Sequence, residues 1–582
     1  MWGTKRFLVA FQAVSSTLVA NAQLTLPNTT FLPPNISTGA QPSSGGSPNP
    51  KWSSLLGNLL YFYDEQRSGT LPSTNRVPWR NDSLIDEGRD QGMDLSGGYY
   101  DAGDYSKFTF PLSFALMSIC WGATDFGKGY DLANQTAYLD ATLRWGLDWL
   151  IKAHPDDNTL VVMIEAQHDN YWGGDRSIPS PRPVYKITAA QPGTDAAAGA
   201  AAAFAACSNL YANRAFAHTS FNAPASLKNE SYADTLLSHG KSLYSFAVNA
   251  TGGRKTYQTS VPQVESAYGS SAYGDELSMA ALFLAFATNQ QSYYQDAETD
   301  YTKYDLAHNN RVFNWDSKTP GVAVLFSQVL QANSGLGGNF STWQQKAEDY
   351  FDNILNNGEY TDDGLLYYDG DSDDASLNPA LNVAMLMERF APIASSRDKT
   401  SSYTSFAKRQ IDYVLGKNSM NVPYIVGLNP NSPRNPHSAM ASGGFDVGKI
   451  DTDPVNEAYV LYGAVVGGPD KRGRFFDIRS DWSQTEVALD YNAPMLTLAA
   501  SHVITESSDP FYITLQAGAY DKVKPQGHPC DAVFRDGCNG GNLGKNVIIA
   551  MAVILTVVGL VVLGLSVWYI LLLKRSRQEK MA

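Results

Sequence analysis

Cysteine is scarce in this chain, with four residues among 582. So few cannot build a disulfide scaffold. Histidine is scarce too: the eight present show no metal-ligand spacing, which argues against a catalytic transition metal. Charged residues make up only 17 %, with acids outnumbering bases 57 to 43 for a net charge of −14. No basic stripe stands out, so the clustered cations that neutralise nucleic-acid phosphates are missing. Aromatic residues, by contrast, are plentiful at 12 %, including 32 tyrosines and 11 tryptophans. With an apolar fraction of 43 %, the composition is that of a globular protein in which some rings fill the core and others can grip flat, hydroxylated ligands.

Both ends carry addresses. Lys5 and Arg6 precede an apolar run that closes on Ala20-Asn21-Ala22, so residues 1–22 read as a secretory signal. Val547 to Leu573 is apolar without a charged residue and is followed by Lys574, Arg575, Arg577 and Lys580. That pattern predicts a transmembrane helix over 547–573 and a cytoplasmic tail over 574–582. The expected product is a single-pass type I membrane protein of the secretory pathway with its bulk outside the cell. Seven sequons, at Asn28, Asn35, Asn81, Asn134, Asn229, Asn249 and Asn339, suit that compartment. Cys530 and Cys538 flank a short polar loop and are expected to pair. Cys120 and Cys207 lie in apolar segments, and either buried thiols or a second bridge fits them.

Between the ends, residues 23–50 are rich in Pro, Ser, Asn and Gly and read as a linker. Residues 51–517 show no comparable break and predict one large domain, joined to the membrane by a polar stretch over 518–546. Inside it, TAYLDATLRWGLDWLIKAH and STWQQKAEDYFDNILNN place apolar residues at helical spacing. TDAAAGAAAAFAACSNLYAN predicts an alanine-rich helix able to pack closely. Many helices joined by long Gly-, Asp- and Tyr-rich loops predict an all-α barrel with its site on one face.

Two clusters stand out for chemistry. GGYYDAGDYSKFTF sets Asp101 and Asp104 in a glycine-flanked turn, expected to be polar enough to keep both ionised and able to activate water. FFDIRSDWSQTEVALDYNAP brings Asp477, Arg479, Asp481, Glu486 and Asp490 together with Trp482 and Tyr491. Glu486 precedes an apolar Val-Ala-Leu, where desolvation would raise its pKa and let it hold a proton as a general acid must. Carboxylates in opposed environments are the pattern of glycoside hydrolysis.

These segments, with FYDEQRSGTLPSTNRVPWRNDSL, SAYGDELSMAALFLAFATN, NWDSKTPGVAVL, YVLGKNSMNVPYIVG and NPHSAM, resemble glycoside hydrolase family nine from Lys51 to Ser501. The resemblance implies an (α/α)6 barrel and an inverting endo-β-1,4-glucanase acting on cellulose or a related glucan. It implies Asp104 as general base, Asp101 as holder of the attacking water, Glu486 as general acid and Asp477 as a helper. It also implies His437 as a sugar contact and Trp172 as a cleft tryptophan; Tyr100, Tyr171 and Trp482 carry rings that suit the faces of glucose or equally ordinary packing, and Arg479 and Tyr491 are further candidate substrate contacts. After His437 this chain reads Ser438, Ala439 and Met440 where the family usually carries a second His or Asp and then an Arg, leaving Arg434 or Arg479 as replacements. No cofactor is needed for the chemistry. In some relatives a loop matching Ser271, Asp275, Glu276 and Asp316 binds structural calcium, although these acids equally suit a helix N-terminus. Other β-glycan substrates, or glycan binding without cleavage, are the competing readings.

Overall fold

The computed structural model describes residues 23–165, 171–216, 222–308, 312–535, 538 and 545–579; the signal expected over 1–22 lies outside them. The chain divides into two units, Met1–Pro525 and Gln526–Ala582. The first is built on twelve helices: α1 (Pro50–Glu65), α2 (Thr109–Asp125), α3 (Thr136–Ala153), α4 (Thr194–Tyr211), α5 (Glu230–Asn249), α6 (Gly274–Thr288), α7 (Gln291–Lys303), α8 (Thr319–Ala332), α9 (Phe340–Asn357), α10 (Leu377–Phe390), α11 (Arg397–Val414) and α12 (Leu489–Thr505).

Every residue of α2 and α4 is buried, and nearly all of α6, α8, α10 and α12, so these six carry no solvent face. They form a closed inner ring, each packing on the next from α2 through α4, α6, α8 and α10 to α12, which returns to α2. The other six are amphipathic and lie outside: α5 on α4 and α6, α7 on α6, α9 on α8, α11 on α10, α3 on α2. Helix α1 packs on α12, so the first helix closes the ring against the last. This is the (α/α)6 arrangement. Alanines 196–198 and 200–203 of α4 keep its surface low, and Gly240 of α5 rests on the Ala201 carbonyl.

Because inner and outer helices alternate, the loops entering the inner helices gather at one end of the ring. A small antiparallel sheet braces that end. In it β1 (Lys107–Phe108) pairs with β2 (Thr159–Ile164), which pairs with β3 (Val184–Thr188), in registers that include Phe108 with Met163 and Leu160 with Ile187. A short hairpin, β4 (Glu359–Tyr360) with β5 (Leu366–Tyr367), lies elsewhere on the rim.

The segment expected to be a linker is docked instead. The Leu24 amide donates to Asp140, the Phe31 amide to the Tyr138 hydroxyl, and the Ser43 amide to Asp509. The Phe31 ring fills the space that Gly57 leaves on α1. Composition alone missed this because one apolar side chain and a few backbone amides suffice to strap a polar segment onto a large domain. The domain also runs past 517. A short helix, Ala519–Val523, turns Tyr520 inward so that its hydroxyl donates to the Phe475 carbonyl.

Cys120 and Cys207 are bridged, tying α2 to α4 and resolving the open alternative. In the second unit Cys530 and Cys538 are bridged as expected. Helix α13 (Lys545–Glu579) covers the apolar run, with side chains described for only part of its length. Among the described residues no helix is long and apolar enough to cross a membrane.

Candidate active site

Asp101 and Asp104 sit in the loop just before β1 and α2, and Glu486 in the link between a short helix, Trp482–Thr485, and α12. They are far apart in sequence, yet the two loops are stitched together. The Gly103 amide donates to Glu486 Oε1 (3.3 Å), and the Leu489 amide donates to the Asp101 carbonyl (3.0 Å). A third segment joins them: His437 pairs with Glu486 as a parallel bridge, its amide donating to the Thr485 carbonyl (2.9 Å). The Ala439 amide then donates to the Gly103 carbonyl (2.8 Å). Gly103 is required there, because a Cβ would lie 2.2 Å from the His437 carbonyl oxygen.

Asp104 is half-buried. Its two oxygens accept from the Ser106 amide and hydroxyl, both at 2.8 Å, which fixes the carboxylate's orientation. Asp101 departs from expectation. It is only 2 % exposed, one oxygen accepts from the Tyr268 hydroxyl, and the other is buried without a partner. Burial pushes its carboxyl well above the ordinary range, and the negative charges of Asp490, Asp104 and Glu486 push the same way; the Tyr268 hydroxyl opposes them. The turn looked polar in sequence, but Tyr268 and the start of α12 close over it. Asp490 is buried in the first turn of α12, accepting from Asn378 (3.0 Å), and burial raises its carboxyl to about 7.

Asp477 holds backbone. It adopts a left-handed conformation (φ 54°), and its carboxylate accepts from the Arg434 and Asn435 amides at 3.0–3.1 Å. It thereby fixes the segment that runs into His437, and burial raises its own carboxyl. The His437 ring is oriented by a hydrogen bond between Nδ1 and the Arg479 carbonyl (2.7 Å) and lies 4.8 Å from the Trp172 ring.

Several expected substrate contacts face elsewhere. The Arg479 guanidinium is buried, bound to Glu457 (2.5 Å) and to the carbonyls of Ile450 and Pro454. It organises a loop and does not replace the missing arginine. Arg434 points to the Pro430 carbonyl and to Asp521. Tyr100 is fully buried, its hydroxyl donating to Ser83. Together with Tyr105, Ala439 and Met440 it forms a small apolar cluster that also holds Trp172, 5 % exposed. The residues that replace the family's polar pair are thus the floor beneath that tryptophan. Tyr171 is half-buried and donates to the Gly174 carbonyl (2.6 Å). Tyr491 is half-buried, its hydroxyl pushed well up by burial and by the charges of Asp490 and Glu486. Trp482, 38 % exposed, presents its face beside Glu486 in sequence.

Each of the calcium candidates is bonded within the chain. Lys318 Nζ binds Glu276 (2.8 Å), its amide donates to Asp275 (2.5 Å), and Asp316 accepts from the Ser271 amide (2.7 Å). Among the described residues no group of three or more acidic, His or Cys side chains forms a metal site. Of these acids the Lys318 ammonium holds Glu276 alone, and Asp275 Oδ1 and Glu276 Oε2 are buried without a partner.

Sequence reasoning missed Tyr268 as the partner of Asp101. Its segment, SAYG, occurs twice in succession: at Ser266–Gly269, where it ends a short helix, Glu265–Tyr268, and at Ser271–Gly274, where its glycine opens α6. It also missed Trp79 and Tyr459, whose rings stack at 4.9 Å and 8°.

The chain is similar to Endoglucanase 5 of Arabidopsis thaliana, 35 % identical over 489 residues, covering 77 % of this chain and 74 % of that one. Endoglucanase A of Bacillus pumilus is 33 % identical over 458 residues, and this chain covers 64 % of its length. Among solved structures, an endoglucanase from the termite Nasutitermes takasagoensis superposes with a TM-score of 0.69 at 34 % identity, covering 78 % of this chain and 98 % of that one. Residues 52–499 match one family, taking in the stitched loops, both carboxylate clusters and the ring up to the middle of α12: the chain belongs to glycosyl hydrolase family 9.

Proposed function

We propose that this protein is an endo-β-1,4-glucanase that cuts internal bonds of cellulose or a related soluble β-glucan with inversion. The observation that carries this reading is the hydrogen bond from Gly103 to Glu486, which sets a carboxyl group from the end of the domain against the loop that holds Asp104. Glu486 protonates the glycosidic oxygen as the bond breaks. Asp104, its oxygens aligned by Ser106, takes the proton from the attacking water, and Asp101 orients that water from its buried position. In an inverting enzyme the water lies between base and sugar, so acid and base stand roughly 6.5–9.5 Å apart. His437 and Trp482 supply the polar and the apolar contact to the sugar at the cleavage point.

The ends of the chain complete the proposal. The signal-like start, the apolar run Val547–Leu573 within α13 and the four basic residues after it support an enzyme exported and tethered at the cell surface, facing outward. A tethered domain of this kind acts on glucan close to its own cell. Glu486→Gln and Asp104→Asn test the chemistry: each is expected to reduce hydrolysis of a soluble cellulose derivative at least a hundredfold while oligosaccharide binding stays measurable. Near-normal turnover by either variant removes that residue from its role, and NMR of the first-formed anomer checks inversion.

A further inference from the structure

A cavity of about 520 Å3 opens behind the segment that carries His437. Arg434, Asn435 and Pro436 line it, whereas Asp101, Asp104, Glu486 and His437 do not, so it is separate from the acid/base pair. Its size is that of a small-ligand site. One wall is Tyr459, 41 % exposed and held flat by its stack on Trp79. The backbone behind that ring is fixed as well, with the Tyr459 amide donating to the Ala441 carbonyl (3.1 Å). Asn456, exposed, brings a carboxamide, and Lys524 brings an ammonium.

The charges in the wall cancel. Arg434 faces Asp521 at 3.4 Å, and Asp477, bonded to two backbone amides, is countered by the Lys524 ammonium. Glu457 is neutralised on one oxygen by Arg479, and its other oxygen is buried without a partner. With no surplus of either sign, the cavity suits a neutral, hydroxyl-rich ligand. Such a ligand would stack on a fixed aromatic face and meet a carboxamide at its edge.

We propose that this cavity is a second saccharide site, binding a short stretch of β-glucan beside the catalytic cleft. It rests on the glucanase reading only for the kind of sugar. Occupancy would bear on the Arg434–Pro436 backbone that positions His437, so a chain held there is also held next to the cutting site.

The test is calorimetric titration of cellotetraose into the full-length Glu486→Gln protein, which binds without consuming the sugar. Two binding events per chain are expected. Adding Tyr459→Ala, or Asn456→Trp to fill the cavity, is expected to weaken one event at least tenfold and leave the other unchanged. In an otherwise unaltered chain, neither substitution should change cellotetraose hydrolysis more than twofold, which also shows that the variants fold. A single event in Glu486→Gln that both substitutions leave unchanged, or two events that survive both, overturns the proposal. If the unaltered protein does not hydrolyse the sugar but a Tyr459-dependent event persists, the glucanase reading fails and the saccharide site stands.

Discussion

The hydroxyl of Tyr268 offers a direct test of how Asp101 works. It is the hydrogen-bond donor to a carboxylate that is otherwise desolvated, while the other oxygen has no partner. A hydrogen bond to a charged group is worth about 1.5–3 kcal/mol. Its removal should therefore raise the Asp101 carboxyl further by a free energy of that order. The direction is set by the chemistry: the donor favours the ionised form, so losing it makes the acid harder to ionise.

Tyr268→Phe isolates this term. The ring packs against Phe108 (4.9 Å) and Trp315 (4.8 Å), and phenylalanine keeps both contacts. The assay is kcat/KM on a soluble β-1,4-glucan from roughly pH 4 to 9. The acid limb of the profile is expected to move to higher pH, with the alkaline limb in place and activity largely recovered on its plateau. An unmoved acid limb, or an equal loss at every pH, refutes the idea that an ionised Asp101 orients the water.

Three further outcomes are expected. Gly103→Ala forces a methyl group against the His437 carbonyl, parting the three stitched segments; a displacement near 1 Å costs about a hundredfold in turnover, so kcat should fall that much while circular dichroism stays native. His154 and His239 share an Nδ1–Nδ1 hydrogen bond (2.8 Å) between α3 and α5, and burial pushes both rings down, His154 to about 4. A lowered folded-state pKa means that the unfolded chain binds the extra proton; the stabilisation is complete above about 6.5, falls away by about 4 and is on the order of 3 kcal/mol. Denaturant melts of His154→Phe should show a flatter pH dependence over that window, and an unchanged slope would exclude the pair. Replacing Cys120 and Cys207 with alanine opens a loop of 87 positions and should cost about 4–5 kcal/mol in the same melts, with activity of the folded fraction intact.

The ring was legible because it depends on periodicity. Helices such as α9 wear an apolar stripe that can be counted in the sequence, and α4 shows its close packing as a run of alanines. The acid and base were legible because their spacing follows a family pattern. What stayed hidden depends on which side chain covers which. Asp101 lies in a run of glycine, aspartate and tyrosine that reads as a polar turn against the core, and only the fold shows Tyr268, 167 positions away, closing over it. Arg479 reads as a ligand contact because a lone arginine among acids usually faces outward. Its partner, Glu457, lies 22 positions earlier in a loop without sequence signature, so its burial could not be anticipated.

The ring topology explains why 382 positions between Asp104 and Glu486 are no obstacle to chemistry. In a closed alternation of inner and outer helices, every inner helix begins at the same end. The first inner helix must touch the last, and α2 packs on α12. Loops entering these two helices are therefore neighbours whatever lies between them. That placement fixes the pair only coarsely. The fine adjustment comes from the His437 segment, bonded to the Asp104 loop through Ala439 and to the Glu486 loop through Thr485, and itself fixed by Asp477. Substitutions at Asp477 should consequently act on acid and base together. The loss in Asp477→Asn should be shared by kcat at every pH, unlike the shifted acid limb expected of Tyr268→Phe, because the substitution sets an amide NH2 against the Arg434 N–H where the carboxylate offers its second oxygen.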